Sequence, residues 1–92
     1  MFLDRDTVVV MQPNAVFPEG LFDASGRSLS RARARAQTYE DAIPRNARAV
    51  LLVNPTAGQL AAAAASVSAH VRVLVLVDVE YPVQPFDIVN GV

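Results

Sequence analysis

The chain has no cysteine, no lysine and no tryptophan, and only one histidine, His70, among its 92 residues. Without cysteine there is no disulfide, no thiolate nucleophile and no cysteine-ligated zinc. A lone histidine does not build a metal site by itself, and His70 reads as a turn or rim residue. All eight basic residues are arginine, set against nine acidic ones for a formal net charge of −1. That balance gives no general electrostatic drive toward nucleic acid or membrane. The first residues carry Asp4 and Asp6 before a short apolar run, where a secretory signal needs a positive start and a longer apolar stretch. No apolar run approaches the roughly 20 residues that cross a bilayer. A soluble, unprocessed protein is expected.

What is present is apolar: 52% of the residues are hydrophobic and 18% charged. A chain of this size makes one domain, residues 1–92, and buries only about 60 to 65% of its unfolded surface. Some of its apolar surface is therefore expected to close an oligomer interface.

Residues 7–12 are rich in β-branched side chains and stop at Pro13-Asn14, which marks a first strand. Turn signals at Pro18-Glu19-Gly20 and Asp23-Ala24-Ser25-Gly26 make residues 13–28 a long, flexible loop. Residues 29–43 are readable as helix or strand. A helix would put Arg31 and Arg33 in its first turn and Glu40 and Asp41 in its last, each opposing the macrodipole. The strand reading, through residues 31–37, aligns Arg31, Arg33 and Arg35 on one face and Ala32, Ala34 and Ala36 on the other. Residues 48–53 form a further strand ended by Asn54-Pro55.

Thr56-Ala57-Gly58-Gln59 fits a capping box, and the alanine run that follows has high helix propensity, so a short helix is predicted over about 56–66. From Val71 to Tyr81 the odd positions are Val71, Val73, Val75, Val77, Val79 and Tyr81, while the even ones include Arg72, Asp78 and Glu80. This predicts a long strand of roughly 36 Å with one apolar face and one face charged at its ends. Pro82 and Pro85 restrict residues 82–92 to an edge or an extended arm, which needs a place to bury Phe86, Ile88 and Val89.

Catalytic constellations are scarce. Asp78 and Glu80 share a strand face, but without a second acidic cluster they read as a solvated strand end. No catalytic, cofactor-binding or metal-ligating residues are assigned, and no enzyme activity is expected. The Arg31, Arg33, Arg35 row is a candidate surface for DNA phosphates or an acidic neighbouring subunit.

Asn54-Pro55-Thr56-Ala57-Gly58, with the preceding Ala49-Val50-Leu51-Leu52-Val53, resembles the opening strand and loop of the diacylglycerol and sphingosine kinase family. That resemblance implies a nucleotide-binding α/β domain with a βαβ unit. The family's Gly-Gly-Asp-Gly-Thr motif is absent. The order of elements along the whole chain resembles the head-tail joining, or stopper, proteins of tailed bacteriophages. In them a strand matching residues 49–55, a short helix matching 59–65 and an alternating strand matching 71–77 belong to a β-barrel-like domain.

The two resemblances part on one physical point. Adjacent parallel strands at 48–53 and 71–81 would make the helix a βαβ crossover, whereas antiparallel strands would make it a buttress. The charged second face of residues 71–81 favours the antiparallel case, because parallel strands covered on both faces are short and apolar throughout. The expectation is therefore an α+β, mostly β domain, a small antiparallel barrel or sandwich with one short helix. By resemblance it would be a virion protein forming a homo-oligomeric ring at the phage head-tail junction. It would bind the portal or adaptor and the tail, close the channel over packaged DNA and make no membrane contact. A capsid decoration protein and the nucleotide-binding domain are the alternatives.

Overall fold

The computed structural model describes residues 1–77. Four strands, β1 (Thr7–Met11), β2 (Arg35–Thr38), β3 (Ala49–Val53) and β4 (Arg72–Leu76), and one helix, α1 (Ala57–Ser66), follow in the order β1, β2, β3, α1, β4. The strands form a single sheet in the order β2-β1-β3-β4. Every pairing is parallel: Val8 lies opposite Arg35, Val8 opposite Val50, and Leu51 opposite Leu74.

This overturns the antiparallel barrel or sandwich. The molecule is a small compact α+β domain whose open sheet is parallel throughout, and α1 is the crossover between the neighbouring strands β3 and β4. The burial of β1 and β3 agrees with this architecture. All five residues of Ala49–Val53 are buried, as are all five of Thr7–Met11, so these two strands need cover on both faces. An antiparallel sheet with one wet face would leave half of them in water, and each large aliphatic side chain contributes about 1.5 to 3 kcal/mol when fully buried.

The expected long strand is also corrected. β4 spans five residues, Arg72–Leu76, so the charge at Arg72 marks the strand's beginning. Asp78, Glu80 and Tyr81 lie outside the described residues, as do Phe86, Ile88 and Val89 of the expected arm. The strand expected at 31–37 begins only at Arg35. Just before it, Arg33 and Ala34 donate their N–H groups to the Ser30 carbonyl at 3.0 and 2.9 Å, which turns the chain.

Period two sorts the sheet's side chains between two cores. Val9, Met11, Leu51 and Val53 pack on one face with Leu3 and Leu21, against Ala15, Phe17 and Leu29 from the β1–β2 connection. That connection is stitched down, with Leu3 donating to the Phe22 carbonyl at 2.8 Å and Leu29 to the Leu21 carbonyl at 2.8 Å. Val8, Val10, Val50 and Leu52 pack on the other face with Ala47 and Ala63, against Tyr39, Ile43 and Val67.

The helix starts as its sequence predicts. Thr56 is the N-cap; its hydroxyl accepts from the Gln59 N–H at 3.1 Å and the Gln59 side chain accepts from the Thr56 N–H at 3.0 Å. Gln59, Ala63 and Val67 fall on one i, i+4 row turned toward the sheet. Ala63 is the buried residue of α1 and joins Val50 and Leu52 in this second core.

Tyr39 closes the gap between the β2–β3 connection and the sheet by donating its hydroxyl to the Val53 carbonyl at 2.8 Å. Burial pushes its phenol up from 10.0 to about 12. Because the folded state favours the neutral phenol, this contribution is complete below pH 10 and is lost as pH rises toward about 12. Phenolate absorbance followed against pH in the parent chain and in Tyr39→Phe checks it: the difference curve should titrate clearly above the ordinary tyrosine range.

Candidate ligand-binding edges

A parallel sheet gathers all its strand ends on one edge and all its strand beginnings on the other. In this order, the chain leaves β1 toward β2 on one side, while β3 and β4 lie on the other side. The topological switch point is therefore between β1 and β3, the position where open parallel sheets generally bind ligands, just beyond the carboxyl ends of the strands.

At that point two left-handed asparagines turn the chain out of the sheet, Asn14 at φ 64° after β1 and Asn54 at φ 48° after β3. Asparagine tolerates this conformation better than other residues with a Cβ. Gln12 spans the crevice: its Nε2 donates to the Asn54 carbonyl at 3.0 Å and to Gln59 Oε1 at 2.6 Å, and Gln59 Nε2 donates back to Gln12 Oε1 at 3.1 Å. The end of β1 is thus tied to the first turn of α1. The backbone N–H groups of Ala57 and Gly58 have no partner among the described residues, and a Cβ placed on Gly58 would meet nothing within 4 Å. Unpaired N–H groups at a helix start suit an anionic oxygen.

The opposite edge has a different chemistry. Arg5 precedes β1, Arg35 opens β2, Arg48 precedes β3 and Arg72 opens β4. A cleft of about 720 Å³ lies there, lined in part by Arg5, Arg48 and Arg72 together with Asp4, Asp6 and Asp23. A smaller one of about 180 Å³ adjoins it, with Arg33 and Arg35 in its wall. Asp23 is held by its own loop, Oδ1 accepting from Ser25 N–H at 2.9 Å, Ser25 Oγ at 2.6 Å and Arg27 N–H at 3.0 Å. The hydrogen bond from the Ser25 hydroxyl is the main reason its carboxyl sits below the usual carboxylate range, aided by the Arg27 N–H.

The arginines singled out in the sequence do not form one row. Arg31 donates from Nη2 to the Ala15 carbonyl at 3.0 Å, and Arg35 donates from Nη2 to Asn46 Oδ1 at 3.1 Å. Of Arg31, Arg33 and Arg35, only Arg35 lies in a strand. Sequence reading passed over the pattern that parallel pairing creates, an arginine at or just before the start of each strand. The signal was present in Arg5, Arg35, Arg48 and Arg72, but it has meaning only once the strands are known to run the same way.

Among the described residues no group of three or more histidine, aspartate or glutamate side chains is placed to hold a metal ion, and no helix is long and apolar enough to cross a membrane. The chain matches no protein-family model, no curated protein and no solved structure.

Proposed function

We propose that the chain is a nucleotide-binding domain that takes the phosphate end of its ligand at the carboxyl edge of the sheet, on the first turn of α1. The observation that supports this is a coincidence of position: Asn54-Pro55-Thr56-Ala57-Gly58, the segment resembling the lipid-kinase loop, leaves β3 at the switch point and opens the crossover helix. The N–H groups of Ala57 and Gly58 would receive the phosphate, and the Gln12–Gln59 pair holds the loop in place beneath it.

Gly58→Glu tests the reading. The substitution meets no neighbour and puts a carboxylate in the first helical turn, where it favours the macrodipole by about 0.3 to 1 kcal/mol. The fold should be kept or slightly stabilised while phosphate is repelled. In a titration of the full chain with ADP, followed by amide NMR, shifts are expected at residues 54–59 in the parent chain, and affinity should fall at least about tenfold in the variant. ADP that leaves residues 54–59 unmoved sinks the proposal.

A second reading, a virion assembly protein at the phage head-tail junction, draws on β4. Among the described residues β4 is a sheet edge, and Val75 within it and Val77 just beyond its end are 45% and 65% exposed. An apolar edge strand of this kind can add a strand from a neighbouring subunit, portal or tail protein without any barrel. Light scattering of the purified chain and cryo-EM location in virions test it. Val75→Lys should leave a monomer folded and break up a ring; a ring that tolerates the lysine excludes β4 as its seam.

A further inference from the structure

We infer that the amino edge of the sheet is a second binding site, built for a small phosphorylated sugar, with guanidinium groups for the phosphate and carboxylates for the hydroxyls. It does not rest on the nucleotide reading, which concerns the other edge.

The cleft's volume, about 720 Å³, falls within the range of small-molecule sites, about 300 to 1,000 Å³. Parallel pairing makes it. Thr7, Ala49 and Arg72 are register partners across β1, β3 and β4, which brings Arg5, Arg48 and Arg72 to neighbouring strand starts spaced about 4.8 Å apart. These three side chains make no ion pair or side-chain hydrogen bond among the described residues, although Asp4, Asp6 and Asp23 line the same cleft.

Asp23 Oδ1 is taken by its own loop, but the three arginines and the carboxylates of Asp4 and Asp6 share the cleft without pairing and remain available to a ligand that carries partners for both. Arginine's planar fork matches a phosphate with two parallel hydrogen bonds, and a carboxylate accepts two hydroxyl protons. A simple anion would use only the arginines. An extended polyanion such as a nucleic-acid backbone would be set against three carboxylates, so the mixed lining favours a compact ligand with a phosphate at one end and hydroxyls at the other.

Ribose 5-phosphate, ribose and inorganic phosphate, each titrated into the full chain and followed by amide NMR, test the inference. Ribose 5-phosphate should shift residues 23–25, 48–49 and 72 and leave residues 54–59 unmoved, binding at least about tenfold more tightly than either of its halves. Arg48→Gln and Arg72→Gln alter exposed side chains and keep the fold. Each should weaken ribose 5-phosphate and inorganic phosphate alike, whereas Asp4→Asn should weaken only the sugar phosphate. Equal affinity for ribose 5-phosphate and sulfate, tighter binding of single-stranded DNA than of the sugar phosphate, or no shift in the cleft at millimolar ligand would each overturn it.

Discussion

Leu51→Ala is expected to destabilise the domain by about 2 to 5 kcal/mol, with urea unfolding followed by circular dichroism as the measurement. Leu51 has no exposed surface and sits on β3, which is paired on both sides, opposite Val9 of β1 and Leu74 of β4. It packs with Met11, Leu21 and Val53 in the core covered by the β1–β2 connection. Truncation removes the transfer free energy of the lost carbons and leaves a cavity that a strand held on both sides cannot collapse. A domain this small has a stability on the order of 5 kcal/mol, so the variant should be close to unfolding at room temperature. Leu74→Ala, half-buried on β4, which is an edge strand among the described residues, should cost clearly less. Equal losses at the two positions would contradict β3 as the central strand.

Gln59→Leu should cost about 2 to 3 kcal/mol, more than an ordinary cap substitution of about 1 kcal/mol, because this one side chain serves two structures. It completes the capping box through the Thr56 N–H, and it exchanges hydrogen bonds with Gln12, 47 residues earlier in the chain. Leucine would leave the half-buried Gln12 amide with the Asn54 carbonyl alone. A double-mutant cycle with Gln12→Leu isolates the pair, and a coupling of about 1 to 2 kcal/mol is expected. The coupling also tests topology: Gln12 and Gln59 meet because β1 and β3 run side by side in the same direction, so that the end of one strand lies beside the helix that follows the other. A coupling near zero would remove the structural basis of the carboxyl edge.

Much of the local structure was legible from residue order. The capping box at Thr56 and Gln59 located the start of α1, and the strands expected at residues 7–12 and 48–53 located β1 and β3 to within a residue, because these signals depend on neighbours a few residues apart. Residues 29–43 were less legible, since alternating Ala and Arg suits either helix or strand. The Ser30 turn ends only where β2 finds its partner in β1. The direction of β4 was misread for a related reason. Arg72, Asp78 and Glu80 looked like the wet face of a long antiparallel strand, but Arg72 lies at the sheet's amino edge and the strand ends at Leu76. A charge at a strand's end and a charge on a strand's face look the same in a period-two pattern.

The candidate sites divide along the same line. Asn54-Pro55-Thr56-Ala57-Gly58 was visible as a strand stop and capped helix start, because the two capping bonds join Thr56 and Gln59, three residues apart. Its place at a switch point was not visible, since that depends on β3 pairing with β1 across the chain. The arginine edge was wholly hidden: Arg5, Arg48 and Arg72 stand far apart in sequence, and parallel hydrogen bonding alone lines up their strands' beginnings. The sequence by itself determined where the helix starts and where the apolar strands β1 and β3 lie, through capping and hydrophobic pattern. Only the tertiary structure decided that the strands run the same way, because direction is fixed by the backbone pairing of β1 with β2 and β3 and of β3 with β4, segments distant in the chain.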